Sequence, residues 1–491
     1  MKRQMKIAAV VSATALLAIG ASFTSMAAAK TGTWKNEDGT WYCYDKNDDV
    51  YTNEFCMSNG VELYVGEEGE LVTNSWVEYD GNMYYIGSAG TKTVNAWKLL
   101  TPYEDADEEW YYFATSGKRV ENTKKVISGK TYYFDGEGKN LTGWINTANK
   151  TVKQAEKGDD ETSLATLVYT DENGARVTND WFKAYEPGID VEEDDLDLFD
   201  EYWYYAKALG APKTGKASSI DGETYLFDVT GKMLSGWIVE AADDVFVEID
   251  NDNDDEKALS NYKNNNIYYA CPEDGHVKKN KWIKEWNNIN FKAADPDTEQ
   301  KWFWLQKDGT VFVPTTASEA NAVDFVEGAL DIDNGTPSNA TFKTINNEVY
   351  LFNEDGEMMY DLVSIEGDIY YFGGKNDGAR KIGAQTIADD MDDSYKFFFG
   401  TEDNKVDGYK KGVGVTGAKN GKLYKDGLLV TASGDYKYAK VTLDGVGAFI
   451  VNKSGSIQTS KKSYSDDGHV VYDATNDTFV TTPGVKKGSI Q

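Results

Sequence analysis

Residues Ser128–Ile145, SGKTYYFDGEGKNLTGWI, decide the fold, because they return at Asp221–Ile238 as DGETYLFDVTGKMLSGWI. Each copy carries an aromatic triplet, Tyr132-Tyr133-Phe134 or Tyr225-Leu226-Phe227. A turn ending in Gly138 or Gly231 follows, and then a short half-polar run into Gly143-Trp144 or Gly236-Trp237. Aromatic residues suit a pleated strand. Asp135-Gly136-Glu137-Gly138 is rich in residues that tolerate tight turns and positive φ. The return run is too short for a helix and has no 3.6-residue stripe. The unit therefore reads as a β-hairpin whose strands are the triplet and the return run. One hairpin is marginal in water, whereas many stacked in a row bury a continuous core.

Outward from this stretch the same spacing holds. From the Trp slot that closes one return run, the next triplet leads off seven residues later, and the next Trp slot follows thirteen or fourteen after that. Trp34, Trp41, Phe55, Glu62, Trp76, Met83 and Trp97 lie at alternating steps of 7 and 14. Beyond Trp97 the register continues through Trp110, Trp144, Trp181, Trp203, Trp237, Trp282 and Trp302, with Lys124 and Lys216 at two Trp slots. Polar and acidic insertions, Pro102–Glu109, Asn146–Ala165, Glu186–Glu201 and Glu240–Glu256, all enter between a Trp slot and the next triplet. No Trp follows Trp304. The expected organisation is a signal peptide (1–29), a hairpin array with aromatic ligand slots (30–314) and an irregular insertion (315–341) with one short helix at Asn321–Leu330. Further hairpins without Trp (342–412) follow, then degenerate hairpins or a small β domain (413–491).

Lys2, Arg3 and Lys6 precede the apolar run Ile7–Ala21, and small residues allow cleavage after Ala27 or Ala29. That is the pattern of a secretory signal, too short for a comfortable membrane span. The C-terminus shows no sorting motif, so attachment to a surface is expected to be non-covalent. A net charge of -32 over 491 residues argues against nucleic acid or anionic lipid as partners and favours cationic or neutral ligands. Cys43 and Cys56 read equally as a bridge between neighbouring strands or as two buried thiols, and Cys271 has no evident partner. His276 and His469 are far apart, lack nucleophile or metal spacing, and read as surface residues. Asp250–Asp255 resembles the start of a calcium loop but lacks its sixth-position glycine and has Asn261 at the twelfth position; a solvated acidic loop is the better reading. Repeats fill most of the chain, leaving no room for a separate catalytic domain. Neither enzyme activity nor a cofactor or metal is expected.

The pattern GW…WYYF…G…GW resembles the cell-wall-binding repeats of Gram-positive surface proteins, the choline-binding repeat superfamily, which also includes glucan-binding repeats and the carbohydrate-binding tails of clostridial toxins. The likeness is strong at Trp34–Trp97, Thr131–Trp144 and Thr224–Trp237 and weak after residue 400. It implies an all-β solenoid of stacked hairpins wound as a left-handed superhelix, with ligand sites between hairpins. The implied sites combine Trp76, Met83 and Trp97, and Trp34, Trp41 and Phe55, with further pairs Trp97–Trp110, Trp181–Trp203 and Trp282–Trp302. Glu62, Lys124, Thr131 and Lys216 put unsuitable groups in site positions, so those sites are expected to be lost.

An aromatic cage holds a quaternary ammonium through its ring faces, and a sugar stacks on the same faces. Each Trp also has a plainer reading, as packing between hairpins. The expectation is a secreted, extracellular, cell-wall-associated binding protein for teichoic-acid choline or a wall glycan. A lectin-like adhesin for host or dietary glycans, and a structural scaffold, are the alternatives.

Overall fold

A computed structural model describes residues 29–102, 106–156, 164–189, 200–249, 259–286, 300–333, 337–404, 408–432 and 437–458, and the backbone of strands Ser463–Asp466 and His469–Asp473. The signal segment, the acidic run at 250–255 and the extreme C-terminus lie outside the described residues. The chain divides into two compact units, Met1–Ala217 with Phe227–Met233, and Ser218–Leu226 with Leu234–Gln491.

The repeat is a hairpin, but its strands are paired half a repeat away from the expectation. Each Trp strand pairs with the triplet that follows it. Ser75–Tyr79 pairs with Asn82–Ile86 across Asp80-Gly81, and Thr123–Ile127 pairs with Lys130–Phe134 across Ser128-Gly129. Both turn residues have positive φ, 51° and 66° at Asp80-Gly81 and 50° and 82° at Ser128-Gly129. This two-residue turn has the twist that antiparallel strands need, which a type I turn lacks.

Asp135–Gly138 instead links one hairpin to the next. The Asp135 carboxylate accepts the amides of Glu137 and Lys139 at 2.9 and 2.8 Å, and only the single bridge Phe134↔Asn140 follows. Asp171 and Asp228 cap their links in the same way.

The insertions fall at the hairpin tips. Ala96–Leu100 with Glu109–Phe113, Asp180–Ala184 with Tyr202–Ala206, and Lys281–Glu285 with Lys301–Leu305 keep full ladders while their tips lengthen. After Trp144 and Trp237 the inserted chain folds back and adds a third strand, Lys153–Gln154 and Val245–Glu248 respectively.

Backbone hydrogen bonds also join one hairpin to the next. In the first unit the carbonyls of Trp41, Glu62, Met83, Trp110, Thr131 and Trp203 accept the amides of Leu71, Lys92, Arg119, Asn140, Arg176 and Met233. In the second, Thr224, Ile267, Trp302 and Val349 serve Val277, Val311, Met358 and Arg380. The acceptor is always the leading residue of a triplet, and the donor lies two residues after a link glycine. The link glycine is required twice over: Gly138 has φ +77°, and a Cβ there would lie 2.6 Å from the Arg119 side chain of the preceding repeat.

Buried side chains form a series of small clusters, such as Phe55, Tyr64, Val77, Tyr84 and Ile86, or Tyr133, Leu141, Ile145, Val152 and Val168. That is the arrangement of a repeat array, where each unit buries its face on its neighbours.

The region 315–341 departs from the expectation. In place of a helix at Asn321–Leu330, Ser318–Val326 is a strand within a six-stranded sheet, pairing with Ala329–Ile332, Ser338–Ile345 and Leu362–Ile365. Val323, Phe325 and Val326 favour a strand, and Glu327-Gly328, at φ 48° and 75°, makes the same tight turn as the other hairpins. Sheet pairing there outweighs the helix preference of Ala320 and Ala322.

The sheet of Gly383–Ala388, Ser394–Phe399, Leu428–Leu429, Lys422–Lys425 and Gly417–Lys419 runs across the boundary expected at residue 413. No α-helix occurs among the described residues, and none of their helices is long and apolar enough to cross a membrane.

Candidate functional site

Three kinds of Trp position emerge. The first is core. Trp144 and Trp237 are 6% and 2% exposed, and their indoles donate to the carbonyls of Tyr185 at 2.8 Å and Trp286 at 2.6 Å. Each accepting residue lies four places after the next hairpin's Trp slot. These two indoles tie hairpin to hairpin.

The second kind is half-buried between hairpins. Trp76 contacts Tyr85 of its own hairpin at 5.7 Å, and Tyr111 and Phe113 of the next at 5.0 and 5.7 Å. Trp97 repeats this with Tyr112, Tyr132 and Phe134 at 5.2, 5.0 and 5.6 Å. Trp181 lies 5.2 Å from Tyr205 and 5.8 Å from Phe227, and Trp282 meets Trp304, Tyr350 and Phe352 at 5.3, 4.8 and 5.7 Å. Trp76 Nε1 donates to the Thr101 carbonyl at 3.0 Å. Burial pushes the Tyr111 hydroxyl up to about 12.

The third kind sits at the lead of a triplet. Trp41 and Trp203 are 46% and 44% exposed, while Trp110 and Trp302 are partly buried. Trp110 lies edge-on to Trp97 at 6.4 Å, so that expected pair meets. Trp282 and Trp302 pack on one cluster with Trp304 and Phe352. Trp203 stands across the ladder from Lys183, two residues beyond the Trp181↔Tyr205 pair. Met83 likewise faces Glu78, two residues beyond Trp76↔Tyr85 on the same side of the hairpin.

The Trp34–Trp41–Phe55 grouping is not formed. Phe55 is 3% exposed and packs edge-on against Tyr64, Tyr79 and Tyr84. Trp34 belongs to a different cluster, around Cys43, Cys56 and Val65. In this structure Phe55 is a core residue: the Trp slot faces inward there because the Phe ring fills the gap to the next triplet. Cys43 and Cys56 are free thiols, completely buried.

Sequence reasoning missed Tyr85, Tyr111, Tyr112, Tyr132 and Tyr205. The cross-strand partners Tyr85, Tyr112 and Tyr205 stand 9, 15 and 24 residues after Trp76, Trp97 and Trp181, two places beyond the lead; Tyr111 and Tyr132 stand one place beyond the lead of the next hairpin. Counting seven residues to the triplet's lead emphasised the diagonal neighbour over the direct cross-strand partner.

Chain cations already lie on several ring faces. The Arg119 guanidinium is 5.7 Å from the Trp76 ring and bonds Glu121 through Nε and Nη2 at 3.2 and 2.8 Å. Lys92, ion-paired with Glu62, lies 5.1 Å from the Phe55 ring and 5.8 Å from Tyr84. Glu62, unsuited to a cage, thus has a partner of its own. Lys284 lies 5.8 Å from the Trp302 ring, and its ammonium and the Trp302 indole both donate to Asn376 Oδ1, at 3.2 and 3.1 Å.

Fold and sites together define an all-β hairpin-repeat protein with aromatic stations between and beside its hairpins. No family model matches the chain. It is similar to glucosyltransferase-S of Streptococcus mutans serotype c, 22% identical over 306 residues, covering 62% of this chain and 16% of that protein. It is also similar to glucosyltransferase-I of Streptococcus downei, 23% identical over 452 residues, covering 88% of this chain and 23% of that protein. The chain thus spans less than a quarter of the length of these curated relatives. Among solved structures it is similar to CbpJ from Streptococcus pneumoniae, at 16% identity and a TM-score of 0.35, covering 78% of this chain and 99% of that one. The repeat spacing and turn chemistry are those of a hairpin-repeat array, and these proteins are what the chain is similar to.

Proposed function

We propose that this chain is a secreted, non-catalytic binding protein that attaches non-covalently to a cell-envelope glycan through indoles at its triplet-lead positions. One observation carries the proposal. The backbone bond between repeats is made by the lead residue's carbonyl, and Glu62, Met83, Thr131, Thr224, Ile267 and Val349 all serve. Nothing in the fold therefore asks for Trp41 or Trp203, yet each exposes close to half of a large indole. An exposed Trp beside polar groups suits the C–H face of a sugar, with charged neighbours to bond its hydroxyls.

Choline is the less favoured ligand at Trp76 and Trp302, because Arg119 and Lys284 already place positive charge on those rings. Kinship with glucosyltransferases supports a glucose polymer as the glycan.

The test is retention of the mature protein on purified Gram-positive cell walls and on insoluble glucan, with elution by soluble oligosaccharide or by choline. Elution by oligosaccharide alone is expected. Elution by choline alone overturns the ligand class, and failure to bind either matrix overturns the binding role.

A further inference from the structure

The link turn before Trp282 differs from the aspartate-capped ones. At Asp135, Asp171 and Asp228 an aspartate opens the link and its carboxylate caps the turn. At the corresponding place before Trp282 stands Cys271, in Cys271-Pro272-Glu273-Asp274-Gly275-His276. The turn is one residue longer: Gly275 donates to the Cys271 carbonyl at 2.7 Å, whereas Gly138 reaches back only to Asp135. Asp274 now accepts the His276 amide, at 3.3 Å.

The rebuilt turn brings together a thiol, an imidazole and carboxylates. The ligand atoms of Cys271, Asp274 and His276 all lie within 4.8 Å of one another. His276 Nδ1 is 2.6 Å from Asp274 Oδ1, and Cys271 Sγ is 2.7 Å from Glu273 Oε2. One of the chain's three cysteines and one of its two histidines thus share six residues.

We propose that this turn is a binding site for a zinc-like divalent metal, with Cys271 Sγ, His276 Nδ1 and an Asp274 oxygen as ligands and Glu273 as the nearest fourth donor. Mixed S, N and O donors suit zinc better than calcium or magnesium, which take oxygen alone. Tetrahedral zinc spaces such donors about 3.3–3.6 Å apart. Glu273 and Asp274 are exposed and His276 is half-buried, so their side chains can turn toward the buried Cys271 sulfur. Binding displaces the thiol proton to solvent and leaves a thiolate on the metal. The metal would close the link that positions the Trp282 hairpin.

The experiment titrates chelator-treated full-length mature protein with Co2+, reading the thiolate-to-cobalt charge-transfer and tetrahedral d–d absorptions, followed by displacement with Zn2+. One equivalent per chain is expected. Cys271→Ser and His276→Gln each abolish the bands while leaving the far-ultraviolet circular dichroism unchanged. Asp274→Asn weakens binding by at least about tenfold, a loss usual even for outer-shell partners. A Cys43→Ser/Cys56→Ser variant keeps the bands. Absence of thiolate–cobalt absorption in the unmodified protein, or its survival in either Cys271→Ser or His276→Gln, overturns the assignment.

Discussion

Trp203→Ala and Trp237→Ala separate binding from packing within one kind of residue. Trp237 is 2% exposed, its ring lies 4.9 Å from both Tyr269 and Phe303, and its indole donates to the Trp286 carbonyl. Emptying such a site costs about 3–5 kcal/mol in packing alone, so a loss of about 4 kcal/mol is expected. In a repeat array the loss stays with neighbouring units. The right assay is therefore amide hydrogen exchange at Trp237–Val239 and Ile267–Ala270, which pair across the ladder. A loss of about 4 kcal/mol accelerates exchange there about a thousandfold. Trp203 exposes 44% of its surface, and its carbonyl, not its ring, docks the next repeat through Met233. Its removal should cost at most about 1 kcal/mol of stability. Retention on glycan should fall by about 30-fold per working station, the equivalent of about 2 kcal/mol for an interface Trp. The reasoning is refuted if Trp203→Ala speeds exchange as much as Trp237→Ala does, or if it leaves glycan retention unchanged in a protein reduced to that single station.

Arg119→Met keeps the stem that covers Gly138 and removes the charge beside Trp76; Met233 and Met358 occupy the equivalent position in other repeats. It should give the Trp76 station measurable quenching by tetramethylammonium, worth about 0.5–2 kcal/mol, and no new quenching would show that the guanidinium is not what excludes cations. Alkaline titration should find Tyr79, Tyr111 and Tyr268 late: the hydrogen bond to Glu54 pushes Tyr79 up to about 12, and burial does so for the other two. Over about pH 10–12 the folded chain then holds protons that the unfolded chain has lost, so stability falls as pH rises through that window; urea midpoints that stay level from pH 9 to 11.5 would contradict it. Burial, the largest influence on each, pushes the Cys43 and Cys56 thiols up, so thiol titration of the native, metal-free protein should detect Cys271 at most, and all three cysteines only after unfolding.

Much of the fold was legible because it is written in turn chemistry. Asp80-Gly81, Ser128-Gly129 and Asp221-Gly222 are the dipeptides that two-residue hairpins require, and all six residues have positive φ. The half-repeat error arose because Asp135-Gly136-Glu137-Gly138 is an equally good turn by composition. Composition does not reveal that its carboxylate caps a link while Ser128-Gly129 closes the ladder. At Asn321–Leu330 a short helix was expected, but the strand partners at Ser338–Ile345 and Leu362–Ile365 lie outside a local window.

The sites were legible as positions but not as roles. Trp144, Trp181 and Trp237 occupy the same slot of the repeat, yet only the first and last are buried, and both stand on a strand that the inserted chain flanks as a third strand of the sheet. An indole on the central strand of three is buried, and Trp181, on a two-stranded ladder, stays half-buried. Lead residues are the reverse case. The backbone bond to a later repeat is made through the carbonyl whether the lead is Thr131 or Trp203, although the buried Ile267, the packed Trp302 and the Glu62–Lys92 ion pair add side-chain contacts at theirs. Ligand specificity can therefore change repeat by repeat at these positions while the hairpins stay in register.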